Sequence, residues 1–166
     1  MLGSIIGDLA GSVYEYGQFQ NFSPVTPKNL IEKDAFFSDD SILTIAVLDS
    51  ILSGESYEKK LKEYATKYQN YRPNVKAYFQ NSFSPSFIKW AKGNYVGSSI
   101  GNGAMMRISS VGYLFDTEKE VLENARLATI PSTIVKRAFW VRKWFLLQFF
   151  MLVKGSRKNK FLKNSP

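Results

Sequence analysis

The 166-residue chain contains no cysteine and no histidine. The first absence excludes a disulfide scaffold and a thiol nucleophile, and the second a Ser-His-Asp triad. Together they remove any usual zinc site. Chemistry on this chain is left to carboxylates, hydroxyls, amides and bound ions. Long apolar runs are also lacking. The longest candidate, Phe139 to Val153, is too short for a membrane span and is interrupted by Arg142 and Lys143. Met1 is followed by Leu-Gly-Ser rather than by a basic stretch and an apolar segment, so no signal peptide is expected. The absence of cysteine fits a cytoplasmic protein. What is present is a hydrophobic content of 45% with 15% aromatics, enough for one folded domain with a real core.

Acidic residues are missing from one part of the chain only. The net charge of +8 is therefore misleading as an average. Residues 1–132 hold 13 Lys/Arg and 14 Asp/Glu, whereas residues 133–166 hold 9 Lys/Arg and no acid. The same tail carries seven Phe/Trp residues. Such a shift marks either a separate binding element or a segment of different origin.

The helical period dominates 1–132 and no strand alternation is convincing, so the expected class is all-α. Residues 2–16 read as a helix with Ile5, Ile6, Leu9, Ala10 and Val13 on its apolar face. Gly3, Gly7 and Gly11 recur every fourth residue and would let a backbone or ligand come close. Asp8, Ser12 and Glu15 share another side. Residues 17–37 read as a loop. A second helix runs from Asp39 to Ser53, apolar nearly all round and hence expected to be buried, with Gly54 ending it. A more polar helix covers 56–70, and 71–102 is broken into short pieces. Gly101-Asn102-Gly103 opens a helix from Ala104, and Thr117 with Glu120 forms a capping box for a last helix through Ala128.

The chemically informative element is Ser38-Asp39-Asp40-Ser41, where two adjacent carboxylates begin an apolar helix. By itself the pair can serve the helix dipole. Hard oxygen donors beside hydroxyls also suit Mg²⁺ or Mn²⁺. Gly101-Asn102-Gly103 is by itself a turn, but its backbone N–H groups can receive a phosphate. Arg107, a turn further on, can support such a site or make a surface ion pair.

Taken in order, Gly7-Asp8-Leu9-Ala10-Gly11-Ser12-Val13-Tyr14-Glu15, Ser38-Asp39-Asp40-Ser41-Ile42-Leu43-Thr44 and Gly101-Asn102-Gly103-Ala104-Met105-Met106-Arg107 closely resemble the ADP-ribosylglycohydrolase family over residues 1–132. The resemblance implies an all-α fold with two divalent cations, Mg²⁺ or Mn²⁺, in a cleft. It implies a hydrolase that removes ADP-ribose from a modified side chain or a small ADP-ribosyl compound. By motif position, Glu15, Ser38, Asp39 and Asp40 look like metal ligands or their immediate support, with Glu15 or Asp40 as catalytic base. Asp8 resembles an aspartate with a structural role beside the cleft. Gly101, Asn102 and Gly103 resemble the loop that contacts ADP-ribose, with Arg107 helping to hold it.

The resemblance stops after Ser132. Family members carry a histidine next, then a small-residue helix, then an Asp-x-Asp-Ser/Thr segment that completes the metal site. This chain has Thr133, and no aspartate follows Asp116. When Thr133 to Lys143 is back-translated with freely chosen codons and read two nucleotides later, it can yield Asn-Ser-Lys-Glu-Gly-Ile-Leu-Gly-Ala-Glu. That shifted reading resembles the helix the family would have here. The expectation is a partial glycohydrolase domain at 1–132, weakly active or inactive, and an out-of-frame tail at 133–166. The alternative is a non-catalytic ADP-ribose-binding or regulatory protein whose tail associates with membrane or nucleic acid through its basic and aromatic residues.

Overall fold

The computed structural model describes residues 2–21, 26–71, 83–93, 97, 103–132 and 154–155, with side chains of the first helix described as far as Tyr14. The fold is all-α, and no strand occurs among the described residues. In chain order the helices are α1 (Leu2–Asn21), α2 (Asp39–Ser53), α3 (Tyr57–Lys67), α4 (Pro85–Ala91), α5 (Gly103–Met106), α6 (Ser109–Leu114) and α7 (Glu118–Thr129). A single 3₁₀ turn, Ile130–Ser132, follows α7. No described helix is long and apolar enough to cross a membrane.

The helix ends follow their local chemistry. Ser38, Ser56, Ser84 and Thr117 each accept a backbone N–H of the first turn that follows. The Thr117–Glu120 capping box is complete, with each side chain bonded to the other's backbone N–H. Gly54 stops α2 with φ 71°, a left-handed conformation that suits glycine. The first helix runs further than its apolar period indicated, to Asn21 rather than residue 16. Apolar periodicity marks a packing face and not helix length.

Helix α2 is the hub: it packs on α3, α1, α6 and α5. Ile42, Leu43, Ala46 and Val47 of α2 are buried with Leu61 of α3, Ile108 just before α6 and Val111 within it, and Val121 and Ala125 of α7. Phe83 and Trp90 close one end of this core, with Phe87 packed between them in ring contacts of 5.5 and 5.2 Å. Full burial of each large aliphatic contributes about 2 kcal/mol relative to exposure. Tyr57 ties α3 to α7 by donating its hydroxyl to Asn124 Oδ1 at 2.9 Å, and burial pushes its phenol up to about 12.

The α2–α3 seam carries a charged clamp. Lys60, buried but for its tip, lies 2.9 Å from both Asp49 and Glu55 and 3.5 Å from Glu63. Glu55 also pairs with Lys59. Those two ammonium groups, Lys59 first, lower the Glu55 carboxyl to about 2, and hydrogen bonds from Glu55 and Asp49 hold the Lys60 ammonium above its ordinary value.

One face departs from the expectation for α2. Its sequence is apolar nearly all round, yet Ile45 is 38% and Leu52 71% exposed. On α1, Gly3, Gly7 and Gly11 have nothing within 4 Å of where a Cβ would stand, so no described backbone uses the close approach they permit.

Candidate metal and ADP-ribose site

The candidate site is organised around a carboxylate that ties α1 to α2. Asp8, on α1, receives four hydrogen bonds from the start of α2. Its Oδ1 accepts from the Ser38 hydroxyl at 2.7 Å. Its Oδ2 accepts from the Ser38 N–H at 2.8 Å, the Ser41 hydroxyl at 2.5 Å and the Ser41 N–H at 3.2 Å. One helical turn along α1, the Ser12 hydroxyl donates to Leu9 O at 2.9 Å and accepts the Phe36 N–H at 3.1 Å. The i, i+4 spacing of Asp8 and Ser12 thus pins the chain on both sides of Phe37.

This clamp decides what the Ser38 oxygen can do. A hydroxyl has one proton and two acceptor positions. Asp8 takes the proton, and the Asp40 N–H, at 3.2 Å, takes one acceptor position. One lone pair is left for an electrophile. Asp39 and Asp40, half-buried, form the first turn of α2 beside it. Phe37 stacks on Tyr71 with ring centres 4.3 Å apart and planes 4° from parallel, and Tyr68 meets both rings edge-on. Burial, and behind it the negative charge of Asp8, raises the Tyr71 phenol above its ordinary value.

The donors are of the right kind for Mg²⁺ or Mn²⁺: two carboxylates and a hydroxyl oriented by its neighbours. Their number is short. Among the described residues no three acidic side chains converge to hold an ion. Glu15 belongs to α1, but its side chain lies outside the described residues. Asp39, Asp40 and Ser38 therefore fit one edge of a hard-cation site.

Gly101 and Asn102 are outside the described residues, and Gly103 begins α5. Both flanks of the loop are fixed on the same turn. On one side the Gly97 backbone lies against Pro131–Ser132, where an added Cβ would overlap the Pro131 carbonyl oxygen and stand 2.5 Å from Ser132 Cα. On the other, Arg107 is 1% exposed and donates from one terminal nitrogen to Ala128 O and to Ser132 Oγ, both at 2.8 Å. The structure places the Arg107 guanidinium inside the protein, holding the 3₁₀ turn. Thr44 Oγ1 donates to Met106 O and Ser110 Oγ to Thr44 O, each at 3.3 Å, which fastens this region to α2.

The sequence singles out Asp8, Ser12 and Ser38-Asp39-Asp40-Ser41, and the structure brings Asp8 onto Ser38 and Ser41. The sequence does not single out Gly97 or Tyr71. Gly97 and Tyr71 act through contacts distant in sequence, and nothing local distinguishes them.

A family model described as ADP-ribosylglycohydrolase matches residues 1–136. ADP-ribosylhydrolase ARH3 of Mus musculus is 23% identical over 151 residues, covering 77% of this chain and 41% of the relative. The Homo sapiens protein of the same name is 23% identical, with 77% and 42% covered, and the Bos taurus protein 24% identical, with 77% and 41% covered. The chain thus spans about two-fifths of the length of the curated relatives it matches. No solved structure matches it. With the family model covering most of the chain and all three motifs inside the match, this protein belongs to the ADP-ribosylglycohydrolase family.

Proposed function

We propose that the chain carries the cation-holding edge of a metal-dependent ADP-ribosylhydrolase, acting on an ADP-ribosylated side chain or a small ADP-ribosyl compound. The observation that carries this reading is the fourfold clamp of Asp8 on Ser38 and Ser41. It presents Asp39 and Asp40 with a serine oxygen whose proton is already committed.

Asp39, Asp40, Ser38 and Glu15 would hold Mg²⁺ or Mn²⁺, which when bound supplies Lewis acidity toward ribose hydroxyls and a water. Glu15 or Asp40 orients that water and accepts its proton. The bond broken is the one from the anomeric carbon of ribose to the modified group, through an oxocarbenium-like transition state. Gly101-Asn102-Gly103 contributes backbone N–H groups to the pyrophosphate, and binding there supplies energy remote from the reacting carbon. Arg107, four residues after Gly103, fixes the Ala128–Ser132 turn.

The segment from about Thr133 onward derives from another reading frame. Two observations support this: the family match ends at residue 136 and acidic residues stop at Glu123; suitably chosen codons read two nucleotides later can also yield a helix that resembles the family's. Hydrolysis by this chain alone is accordingly expected to be slight or nil. The test is ADP-ribose calorimetry with and without Mg²⁺, beside an assay of ADP-ribose release from serine- and arginine-modified peptides. Weak, Mg²⁺-dependent binding that is lost in Asp39→Ala/Asp40→Ala, with little release, supports the reading. Binding indifferent to both Mg²⁺ and that double variant would instead indicate a metal-free binding module.

A further inference from the structure

The three residues that lead into α2 alternate in burial. Phe36 and Ser38 are 8% and 3% exposed, and Phe37 between them is 37% exposed. Ser38 has extended backbone, with φ −111° and ψ −167°, and along extended backbone successive side chains leave on opposite sides. The Phe37 ring therefore leaves the chain on the other side from the Ser38 hydroxyl that Asp8 holds. Hydrogen bonds to α1 fix the Phe36 N–H and the Ser38 N–H on either side of it. Phe37 itself is held by its ring.

Tyr71 holds that ring in a parallel stack, 4.3 Å between centres and 4° between planes. Tyr68 is perpendicular to both rings with its centre 6.5 Å from each, so it stands beside the stack and not on top of it. Tyr68 and Tyr71 pack against the hydrophobic core. Their backbone is fastened to the end of α3, with the Tyr68 N–H on Tyr64 O at 3.0 Å and the Tyr71 N–H on Tyr68 O at 2.9 Å. A continuous path thus runs from the core and α3 through Tyr71 and Phe37 to the Ser38-Asp39-Asp40 turn. A ring that stays partly exposed gains less from burial than a core ring, whereas a parallel stack fixes its direction. The pair serves orientation more than stability.

We propose that Tyr71 is a positioning residue for the cation edge: stacked on Phe37, it braces the Ser38-Asp39-Asp40 turn that Asp8 clamps through Ser38. The proposal rests on the reading of that turn as a cation-holding edge. Tyr71 acts through Phe37 on the direction of Asp39 and Asp40, and removing groups that orient metal-binding side chains typically weakens binding about 10- to 100-fold.

The full chain and its variants are titrated with Mn²⁺, free ion being followed by electron paramagnetic resonance, at a temperature where circular dichroism shows each variant as helical as the parent. Tyr71→Leu is expected to raise the Mn²⁺ dissociation constant about tenfold, and Phe37→Leu to do the same. The double variant Phe37→Leu/Tyr71→Leu is no weaker than either, since both changes cut one path. Tyr71→Phe, which keeps the stack, retains the parent value. Phe87→Leu, in the stack with Phe83 and Trp90, lowers the melting temperature and leaves Mn²⁺ binding unchanged. The proposal alone is overturned if Tyr71→Leu binds like the parent while Asp39→Ala/Asp40→Ala does not bind, a result that leaves the cation edge standing. It is equally overturned if the two single losses add, or if Tyr71→Phe loses as much as Tyr71→Leu. A parent chain that binds no Mn²⁺ through Asp39 and Asp40 removes the cation edge and the proposal with it. Should Tyr71→Leu fail to fold, Phe37→Leu, at an exposed residue, decides the same question.

Discussion

The two sides of α2 are nearly equal in apolar content and opposite in fate. Ala46 and Val47 are fully buried against the rest of the core, whereas Ile45 and Leu52 face outward. The inner side meets Leu61 of α3, is fastened by Lys60 between Asp49 and Glu55, and is clasped to α5 and α6 through Thr44 and Ser110. Among the described residues, α1 meets α2 through Asp8 at its first turn. Composition thus specifies that α2 should be buried, but partners decide which of its faces is.

The sharpest way to break this contrast is to truncate equivalent side chains on the two sides. Leu61→Ala removes a fully buried side chain and should cost about 3 kcal/mol, whereas Leu52→Ala should cost less than about 0.5 kcal/mol. Thermal unfolding followed by circular dichroism measures both, and equal costs would show that the inner core is not close-packed.

Asp8→Ala comes next. It strands the Ser38 and Ser41 N–H groups and frees both hydroxyls, for an expected loss of about 2 kcal/mol. Protease cleavage between Phe36 and Ser41 should accelerate, because the start of α2 loses its anchor to α1. Gly97→Ala should cost about 1–3 kcal/mol, since the added methyl overlaps backbone that has no room to yield. A denaturant midpoint unchanged in this variant would contradict the packing of Gly97 on Pro131–Ser132.

The charged clamp gives a smaller, pH-dependent effect. Folding lowers the Glu55 carboxyl from 4.5 to about 2, with Lys59 and then Lys60 as the main causes. Its stabilising contribution is therefore complete above about pH 4.5 and is lost as pH falls toward 2. The Lys60 ammonium is raised, so its contribution holds below about pH 10.5 and fades as pH rises beyond it. A Glu55→Gln variant should flatten the acid limb of a melting-temperature profile relative to the parent chain.

How much of this was legible in the sequence follows from the range of each interaction. Capping by Ser38 and Thr117 and the stop at Gly54 depend on residues within four positions, so the ends of α2 and the start of α7 could be read directly. Asp8 was found because its i, i+4 relation to Ser12 and the adjoining motif are local, but its partners Ser38 and Ser41 are some thirty residues away. Arg107 shows the limit. An arginine one turn after a glycine turn suggests an outward anion contact, whereas the structure turns it inward to Ala128 and Ser132. The exposure of Ile45 was equally unreadable, since hydrophobicity states a preference for burial and not whether a partner meets it.

The most direct test of the account is a Mn²⁺ titration of the full chain, followed by electron paramagnetic resonance and calorimetry, alongside Asp39→Ala/Asp40→Ala. Weak binding that disappears in the double variant is the predicted result, as expected of one edge of a two-cation site. Tight binding of two ions per chain would contradict it, because the site would then be complete without the rest of the family's fold.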